Sequence, residues 1–378
     1  MHFAWSAERE SEFAATVDRV TAAFGGDTFR AETDRRAGWL TLGDLGLLGL
    51  CLPEKYGGGG LGALDTARQV EAFGRGCADT GLVFAASAHL FACGVPIAEF
   101  GGAEARERLL PGMCAGDLIA ANAMTEADAG SDVSRLAATA TAVPGGFVLT
   151  GEKSFATNGP VADVLVTYAT TDPAAGHLGI TAFAVDRTAP GVVVGEPFSK
   201  MGLESAAAST VRFDGCFVPD ARVLGEPGQG GAIFQHSMRW ERACLFAGYV
   251  GLLDRLLDRC VEHARTRRQF GRRIGDFQSV ANRVVDIKMR TESARLLLYK
   301  ACWEMDQGRG GELSVALSKL AVSEAAVASA LDAVRIFGGH GYLREYGIET
   351  LLRDTVPSTV FSGTSDIQRL LIARELGL

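Results

Sequence analysis

The chain has 378 residues, of which 45 are acidic and 37 basic, so its formal net charge is -8. Hydrophobic residues make up 47% and charged residues 22% of the sequence, which excludes a chain that is disordered throughout. An acidic protein without a stripe of lysine and arginine is also a poor candidate for binding nucleic acid or an anionic membrane.

The N-terminal part, residues 1–117, predicts a helical domain whose helices are interrupted by glycine and proline. Its longest apolar run, 81–97, is shorter than the roughly 20 apolar residues that normally span a bilayer. Because Ser87, His89 and Pro96 interrupt this run, we expect a buried core helix. The first residues lack the basic and apolar regions of a signal peptide, so we expect a cytoplasmic protein.

In the middle part, residues 118–226, the spacing of the hydrophobic residues is no longer that of helices. Short segments rich in Val, Ile, Thr and Phe alternate with Gly, Asp, Asn and Pro at nearly regular spacing. The segments are 118–124, 147–150, 164–170, 180–185, 192–194 and 210–213. This pattern predicts a small antiparallel β-sandwich or barrel.

The C-terminal part, residues 227–378, returns to long helical patterns at 233–265, 277–307, 313–337 and 364–376. Such a run predicts an antiparallel four-helix bundle, so the whole chain is of the α+β multidomain class. No G-x-G-x-x-G follows a predicted strand, which disfavours a Rossmann-type nicotinamide enzyme. The eight cysteines form no CxxC pair and the histidines are scattered, so we predict no metal site.

Glu241 is the most informative single residue. It occupies the third position of an apolar stripe on the predicted helix 233–265. The other positions are Phe234, Met238, Leu245, Leu252 and Leu256. Burial disfavours the charged form of a carboxylate and raises its pKa, which suits a general base. The alternative is that Glu241 pairs with Arg242 or another arginine and only holds the bundle together.

Two segments follow predicted strands and are rich in small hydroxyl residues and backbone donors. They are MTEADAGSDV at 124–133 and GEKSFATNG at 151–159. Turns of this kind can hold a phosphate or the polar edge of a ring. The alternatives are an ordinary Asx or Ser turn for the first segment and a hairpin with an Asn-Gly turn for the second.

Further motifs lie in the C-terminal part. The basic segment 265–273 can bind an anion or form a solvated charged face. At 361–368, the sequence FSGTSDIQ places Gly-Thr before a helix, whose free N–H groups favour an oxyanion.

Taken together and in this order, five motifs resemble the acyl-CoA dehydrogenase superfamily over essentially the whole chain. They are TEADAGSDV (125–133), GEKSFATNG (151–159), RRQFGRRIGDFQ (267–278), FGGHGY (337–342) and GTSDIQ (363–368). The resemblance implies the three-domain fold of that family, FAD as cofactor and a homotetramer.

It also implies which residues contact FAD. Those at the flavin or its phosphates are Met124, Thr125 and Ser131, and those flanking the isoalloxazine ring are Phe155, Ala156 and Thr157. Those binding the FAD of a neighbouring subunit are Arg267, Phe270, Gln278, Phe337, Gly338 and Gly339. Thr364 and Asp366 are expected near the cofactor.

The catalytic base departs from the common pattern of this family. Many relatives have a glutamate directly before the C-terminal Gly-Thr, where this chain has Ser362, whose hydroxyl is a poor base. A minority carry the glutamate before an arginine on the first long helix of the bundle, as in Trp240-Glu241-Arg242. The resemblance therefore implies Glu241 as the base and the Ser362 backbone N–H as an oxyanion donor.

The residues beside these two, Trp240, Arg242, Phe361 and Gly363, are expected to line the substrate pocket. For the two aromatic rings, core packing is the alternative role.

Longer segments resemble one branch of the family, the prolyl-carrier-protein dehydrogenases of natural-product and antibiotic biosynthesis. The segments are 81–93, 162–171, 240–247, 301–308 and 360–368. The resemblance implies oxidation of an L-prolyl thioester on a peptidyl carrier protein to the pyrrole-2-carboxyl thioester. The alternatives are a short- or branched-chain acyl-CoA dehydrogenase and a flavoprotein of the same fold that does not dehydrogenate.

Overall fold

Helices form the N-terminal part of the chain in the computed structural model, which describes residues 6–26, 35–309 and 311–378. They are α1 Ala7–Phe24, α2 Arg35–Asp44, α3 Ala63–Gly76, α4 Thr80–Ala88, α5 Val95–Phe100 and α6 Ala103–Ala115. The side chain of Asp79 caps α4 by accepting a hydrogen bond from the N–H of Leu82 at 3.1 Å. The expected helical N-terminal part is confirmed.

The long apolar run forms one helical stretch, α4 and α5 joined by a π-helical turn, His89–Gly94. Among the described residues, this stretch is long and apolar enough to cross a membrane, but 89% of its apolar window is buried inside the protein. His89 is fully buried, and its Nδ1 accepts a hydrogen bond from the N–H of Ala120 at 2.9 Å. The prediction of a buried core helix is thus confirmed, and its histidine ties the helix to the next region.

A single sheet forms the middle part. Its strands are β1 Ala120–Ala123, β2 Thr139–Val143, β3 Gly146–Thr157, β4 Val164–Thr170, β5 Ile180–Asp186, β6 Val192–Val194, β7 Ala208–Pro219 and β8 Val223–Leu224. They are ordered β6-β7-β3-β1-β4-β5-β8, and β2 pairs with β3 and β4. Most neighbours are antiparallel, as expected, but β1 runs parallel to β4 with Ala121 opposite Leu165. The sheet is therefore mixed.

Long helices build the C-terminal part. They are α7 Gly230–Trp240, α8 Ala247–Thr266, α9 Gln278–Asp306, α10 Glu312–Phe337, α11 Gly339–Tyr342, α12 Ile348–Thr355 and α13 Ser365–Glu375. Between α8 and α9, a short hairpin pairs β9 Arg268–Gln269 with β10 Arg272–Arg273.

The prediction of one regular helix over 233–265 is wrong in one respect. A π-helical turn, Glu241–Leu245, separates α7 from α8. The wider turn interrupts the 3.6-residue period, and π-helical turns occur often at functional sites. One hydrophobic core joins this turn to the N-terminal helices, one face of the sheet and the C-terminal helices. The π turn is thus fixed where the three parts of the chain meet.

Candidate active site

Glu241 is the first residue of the π turn, and its side chain is buried. The hydroxyl of Ser362 donates a hydrogen bond to its carboxylate. Burial raises the pKa of Glu241 above its ordinary value, although the Ser362 hydrogen bond and the charges of Arg242 and Lys319 oppose the rise. A desolvated carboxylate with a raised pKa is suited to remove a proton from carbon near neutral pH.

Arg242 does not form the ion pair that was the alternative role for Glu241. Its Nε donates to the backbone carbonyl of Ser362 at 2.9 Å. No ion pair within 4.0 Å joins Glu241 to an arginine in the part of the chain that the structure describes. Arg242 therefore acts on Glu241 through its charge and through the loop that carries Ser362.

Ser362 and Gly363 form a tight loop with φ values of +56° and +86°. Gln368, which is fully buried, donates from Nε2 to the carbonyl of Gly363 at 3.0 Å. A Cβ at Gly363 would lie 2.8 Å from Gln368 Nε2, so a side chain there would have to displace the amide group that donates to this loop. Within the described ranges the N–H of Ser362 has no protein acceptor. It is thus available to a substrate oxygen.

Aromatic rings surround this loop. Phe361 packs against Phe84, Phe246 and Tyr249, with ring centroids 4.4, 5.4 and 6.2 Å away. The ring of Trp240 stacks on Phe91 at 6.4 Å. Phe361 thus forms an apolar wall beside Ser362, and the contact of Trp240 is with a core residue of the N-terminal helices. We call Glu241, Arg242, Lys319, Phe361 and Ser362 the catalytic corner.

A second group of predicted residues lies on the sheet, and we call residues 124–131 and 153–157 the cradle. Its two segments are joined by a hydrogen bond from the N–H of Ser154 to the carbonyl of Thr125 at 2.7 Å. Met124 and Ala156 are buried, whereas Ser131 is exposed. Phe155 has a φ of +56° and exposes 66% of its surface. The cradle therefore presents one apolar ring from otherwise fixed strands.

The cradle also offers a polar position. Thr157 at the end of β3 lies opposite Asn122 of β1. The buried Oδ1 of Asn122 has no hydrogen-bond partner among the described residues. A planar ligand with an apolar face and a hydrogen-bonding edge, such as an isoalloxazine ring, fits this combination of an exposed aromatic face and an unpartnered acceptor.

The third group lies around the hairpin after α8. The N–H of Arg267 donates to the carbonyl of His263 at 2.9 Å, and the His263 ring stacks on Phe337 at 4.1 Å. Phe270 at the hairpin tip is 91% exposed. The remaining predicted residues are exposed or half-buried, namely Gln278 at the start of α9, Gly338 and Gly339 after α10, and Thr364 and Asp366 around the start of α13. The Thr364 side chain caps α13 by accepting from the N–H of Ile367 at 3.2 Å.

Backbone strain marks the same places. Among the described residues, five that are not glycine have a positive φ, and Phe155, Phe270 and Ser362 are three of them. Such conformations are costly for ordinary side chains and cluster at functional sites. Each of the three groups thus contains a predicted site residue in a strained conformation.

Three buried polar residues were not assigned roles from the sequence. Lys153 and Gln368 lie inside quoted motifs, but nothing in the motifs indicates their contacts. Lys319 is preceded by Val315 and followed by Val322, both buried on the same face of α10. The pattern that identified Glu241, a charge within an apolar stripe, applies to Lys319 as well.

The described residues contain neither a cluster of metal ligands nor a disulfide. Within residues 6–26, 35–309 and 311–378, no group of three or more His, Cys, Asp and Glu side chains is placed to hold a metal ion. The cysteines are free thiols, and burial raises the pKa of several, that of Cys260 to about 12.

The chain matches family models along nearly its whole length. The acyl-CoA dehydrogenase N-terminal domain matches residues 8–117, the middle domain 121–216 and the C-terminal domain 228–377. The protein belongs to the acyl-CoA dehydrogenase family.

Individual members of this family are similar to the chain over most of its length. An L-prolyl-[peptidyl-carrier protein] dehydrogenase from Pseudomonas fluorescens is 53% identical, covering 98% of each chain. One from a Serratia species is 49% identical over 86% of this chain and 84% of its own. Isovaleryl-CoA dehydrogenase from Oryza sativa is 37% identical over 89% and 82%.

Solved structures of similar proteins superpose closely on this chain. PigA with FAD and proline superposes with a TM-score of 0.96 and 42% identity over the full length of both chains. The prolyl acyl carrier protein oxidase AnaB gives 0.96 and 39%, covering 99% of this chain and 100% of its own.

Proposed function

We propose that this protein is an FAD-dependent dehydrogenase that oxidises an L-prolyl thioester on a peptidyl carrier protein to the pyrrole-2-carboxyl thioester. The observation that carries the proposal is the buried carboxyl of Glu241 held by the hydroxyl of Ser362. The relatives from Pseudomonas fluorescens and the Serratia species carry this substrate class in their names.

Glu241 takes the proton from Cα of the prolyl group. FAD, which Met124, Thr125, Phe155 and Thr157 would hold, would supply the acceptor for the hydride that leaves Cβ. The N–H of Ser362 donates to the thioester oxygen, where negative charge develops as the proton leaves, and donors of this kind are worth about 3 kcal/mol each. A second two-electron oxidation would again need oxidised FAD as its hydride acceptor, and together with a tautomerisation it would give the aromatic pyrrole ring.

The other residues of the site position these groups. The Ser362 hydroxyl orients the carboxylate, and Arg242 holds the backbone carbonyl of Ser362. Phe361 shields the corner from water by packing among three other rings. Exclusion of water strengthens each electrostatic contact during proton transfer.

FAD is assigned to the cradle and to the third group of residues. Met124, Thr125, Phe155 and Thr157 would hold the ring system, and the exposed hairpin with Phe270 would reach the FAD of a neighbouring subunit. A homotetramer is part of this proposal, supported by the 91% exposure of Phe270. A cytoplasmic location also remains a prediction.

A branched-chain acyl-CoA dehydrogenase is the second candidate, because the rice relative acts on isovaleryl-CoA by its name. Both candidates use the same base and cofactor and differ in the group that carries the acyl chain. A flavoprotein that binds FAD but is not bleached by any acyl thioester would be the third.

The test is anaerobic bleaching of the flavin in single turnover. L-Prolyl-carrier protein, L-prolyl-CoA and isovaleryl-CoA are each mixed with wild type and with Glu241→Gln. We expect the carrier-protein substrate to bleach wild type fastest, and the variant to react at least about 10²-fold more slowly because its general base is lost. Normal bleaching in the variant would remove Glu241 from the mechanism, and fastest bleaching by isovaleryl-CoA would favour the second candidate.

A further inference from the structure

Lys319 is a buried cation that the mechanism above does not use. It lies on α10, which packs against the π turn, and none of its surface is exposed. Its Nζ has no hydrogen-bond partner in the part of the chain that the structure describes. A buried ammonium without hydrogen bonds is costly, so a lysine at such a position needs a compensating interaction.

An aromatic ring lies beside the ammonium group of Lys319. The Nζ of Lys319 lies 5.3 Å from the centroid of the Phe246 ring. The same ring packs against Phe361, the residue before Ser362. The ammonium is therefore held against the aromatic wall of the catalytic corner, at a distance typical of a cation–π contact.

Three charged groups act on Lys319. Burial lowers its pKa to about 7, and the positive charge of Arg242 adds to this effect. Glu324 on the same helix and Glu241 on the π turn act in the opposite direction. The guanidinium of Arg242 is committed to the Ser362 carbonyl.

Glu241 is faced by few other titratable groups. Cys93 from the π turn after α4 and Tyr168 from β4 both interact with it electrostatically, and burial raises the pKa of both. These two groups are therefore neutral near pH 7, so the charges that act on the carboxylate come from Arg242 and Lys319.

We propose that Lys319 is a positioning residue of the catalytic corner, and that its buried ammonium keeps the Glu241 carboxyl ionised and ready to accept the proton. This inference rests on the proposed role of Glu241 as base. Lys319 touches neither the thioester nor the reacting carbon, and it acts through the carboxylate alone. A purely structural role, in which only the aliphatic stem packs, is the competing explanation.

The two explanations differ in the pH dependence of flavin reduction. Rates of anaerobic bleaching by L-prolyl-carrier protein are measured from pH 5 to pH 9 for wild type, Lys319→Met and Lys319→Arg. A control, Lys55→Met, removes an exposed lysine far along the chain from the site. If Lys319 favours ionised Glu241, its removal raises the pKa of the base. The acid limb of the pH–rate profile, where the rate rises as Glu241 loses its proton, then moves up by about one pH unit in Lys319→Met. A shift of this size is expected for the loss of a nearby buried charge.

Lys319→Arg keeps the charge and is expected to keep the limb near its wild-type position, with Lys55→Met unchanged. An acid limb in Lys319→Met that coincides with wild type would overturn the inference. Should Lys319→Met fail to bind FAD, the pair Lys319→Gln and Lys319→Arg decides, because only the neutral variant is expected to shift.

Glu241→Gln, run in parallel, separates the two proposals. A slow Glu241→Gln with an unshifted Lys319→Met contradicts only the role of Lys319. A Glu241→Gln variant that reacts at the wild-type rate contradicts the base assignment itself.

Discussion

Lys153 in the sheet and Lys319 in the helical bundle are both fully buried, but they differ in the hydrogen-bond partners of their ammonium groups. Lys153 donates to Oε1 of Glu126 at 2.6 Å and to the carbonyl of Met124 at 3.3 Å. Glu126 in turn accepts from the backbone N–H groups of Ala137 at 2.6 Å and Ala138 at 3.1 Å. The cradle thus neutralises its lysine within a network of hydrogen bonds, whereas Lys319 in the catalytic corner has no hydrogen bond to any residue that the structure describes.

The difference indicates two uses of a buried cation. In the cradle, the ion pair ties the turn after β1 to β3, so the charge fixes the backbone that is to hold a cofactor. In the corner, no described residue forms a hydrogen bond with Lys319, so below about pH 7, where it is protonated, its charge stays available to a reacting carboxylate. A fully hydrogen-bonded network makes the backbone around Lys153 rigid, whereas a charge without hydrogen bonds exerts its electrostatic field on neighbouring groups.

Breaking the network of the cradle is expected to have the largest effect. Lys153→Met leaves the buried carboxylate of Glu126 without its cation, a change that typically costs about 3–5 kcal/mol. We expect that loss in the free energy of unfolding, measured with urea, together with a lower FAD content of the purified protein.

The double variant Lys153→Met/Glu126→Gln is the matched control. It removes both charges, so it should be more stable than Lys153→Met alone. A single variant with wild-type stability and flavin content would show that the pair does not hold the cradle.

Lys319→Met should not cause the loss of stability expected for Lys153→Met, because it leaves no hydrogen-bonding partner among the described residues unpaired. The pKa of Lys319 is lowered from 10.5 to about 7 in the folded protein. Between these values the unfolded chain binds a proton that the folded protein does not, so wild-type stability gains from this group as the pH rises from about 7.

The variant lacks this contribution. Urea unfolding at pH 6.5 and 9.5 should show a pH-dependent gain that is smaller than that of wild type by about 1–3 kcal/mol. Lys153, whose pKa is lowered to about 8, titrates in the same direction but is present in both proteins, so it cancels from the difference. Equal gains in the two proteins would show that Lys319 is not titrated by folding.

Much of the fold was predictable, because the hydrophobic period changes from helical to alternating and back along the chain. The helix α12 and the short strands β2 and β8 were missed. Strand β2 has the sequence TATAV, and β8 consists of two residues, so neither carries a strong pattern of its own. The predicted domain boundaries at residues 117 and 226 stay a prediction.

The site was predictable only where a residue type violates its local pattern or belongs to a quoted motif. Glu241 violates its local pattern because it lies within an apolar stripe. In the structure it is hydrogen-bonded to Ser362, which lies 121 residues further along the chain. The π turn, the positive φ of Ser362 and the partner of Arg242 depend on tertiary packing, which overrides local periodicity. Lys319 carried the same signal as Glu241 on a different helix, and its significance emerges only when the two helices pack together.

The last expected effect concerns the hydroxyl that orients the base. In Ser362→Ala the carboxylate of Glu241 loses a hydrogen bond that favours its ionised form. The pKa of Glu241 should therefore rise, and the acid limb of flavin reduction should move up by about one pH unit, since a hydrogen bond to a charged group contributes about 1.5 kcal/mol. Thr359→Val, which removes a hydroxyl bonded only to its own turn at 2.8 Å, is the control and should leave the limb in place. A shift smaller than that of Lys319→Met would mean that the buried ammonium, rather than the hydroxyl, dominates the ionisation of the base, and an unchanged limb would leave Ser362 with its backbone role alone.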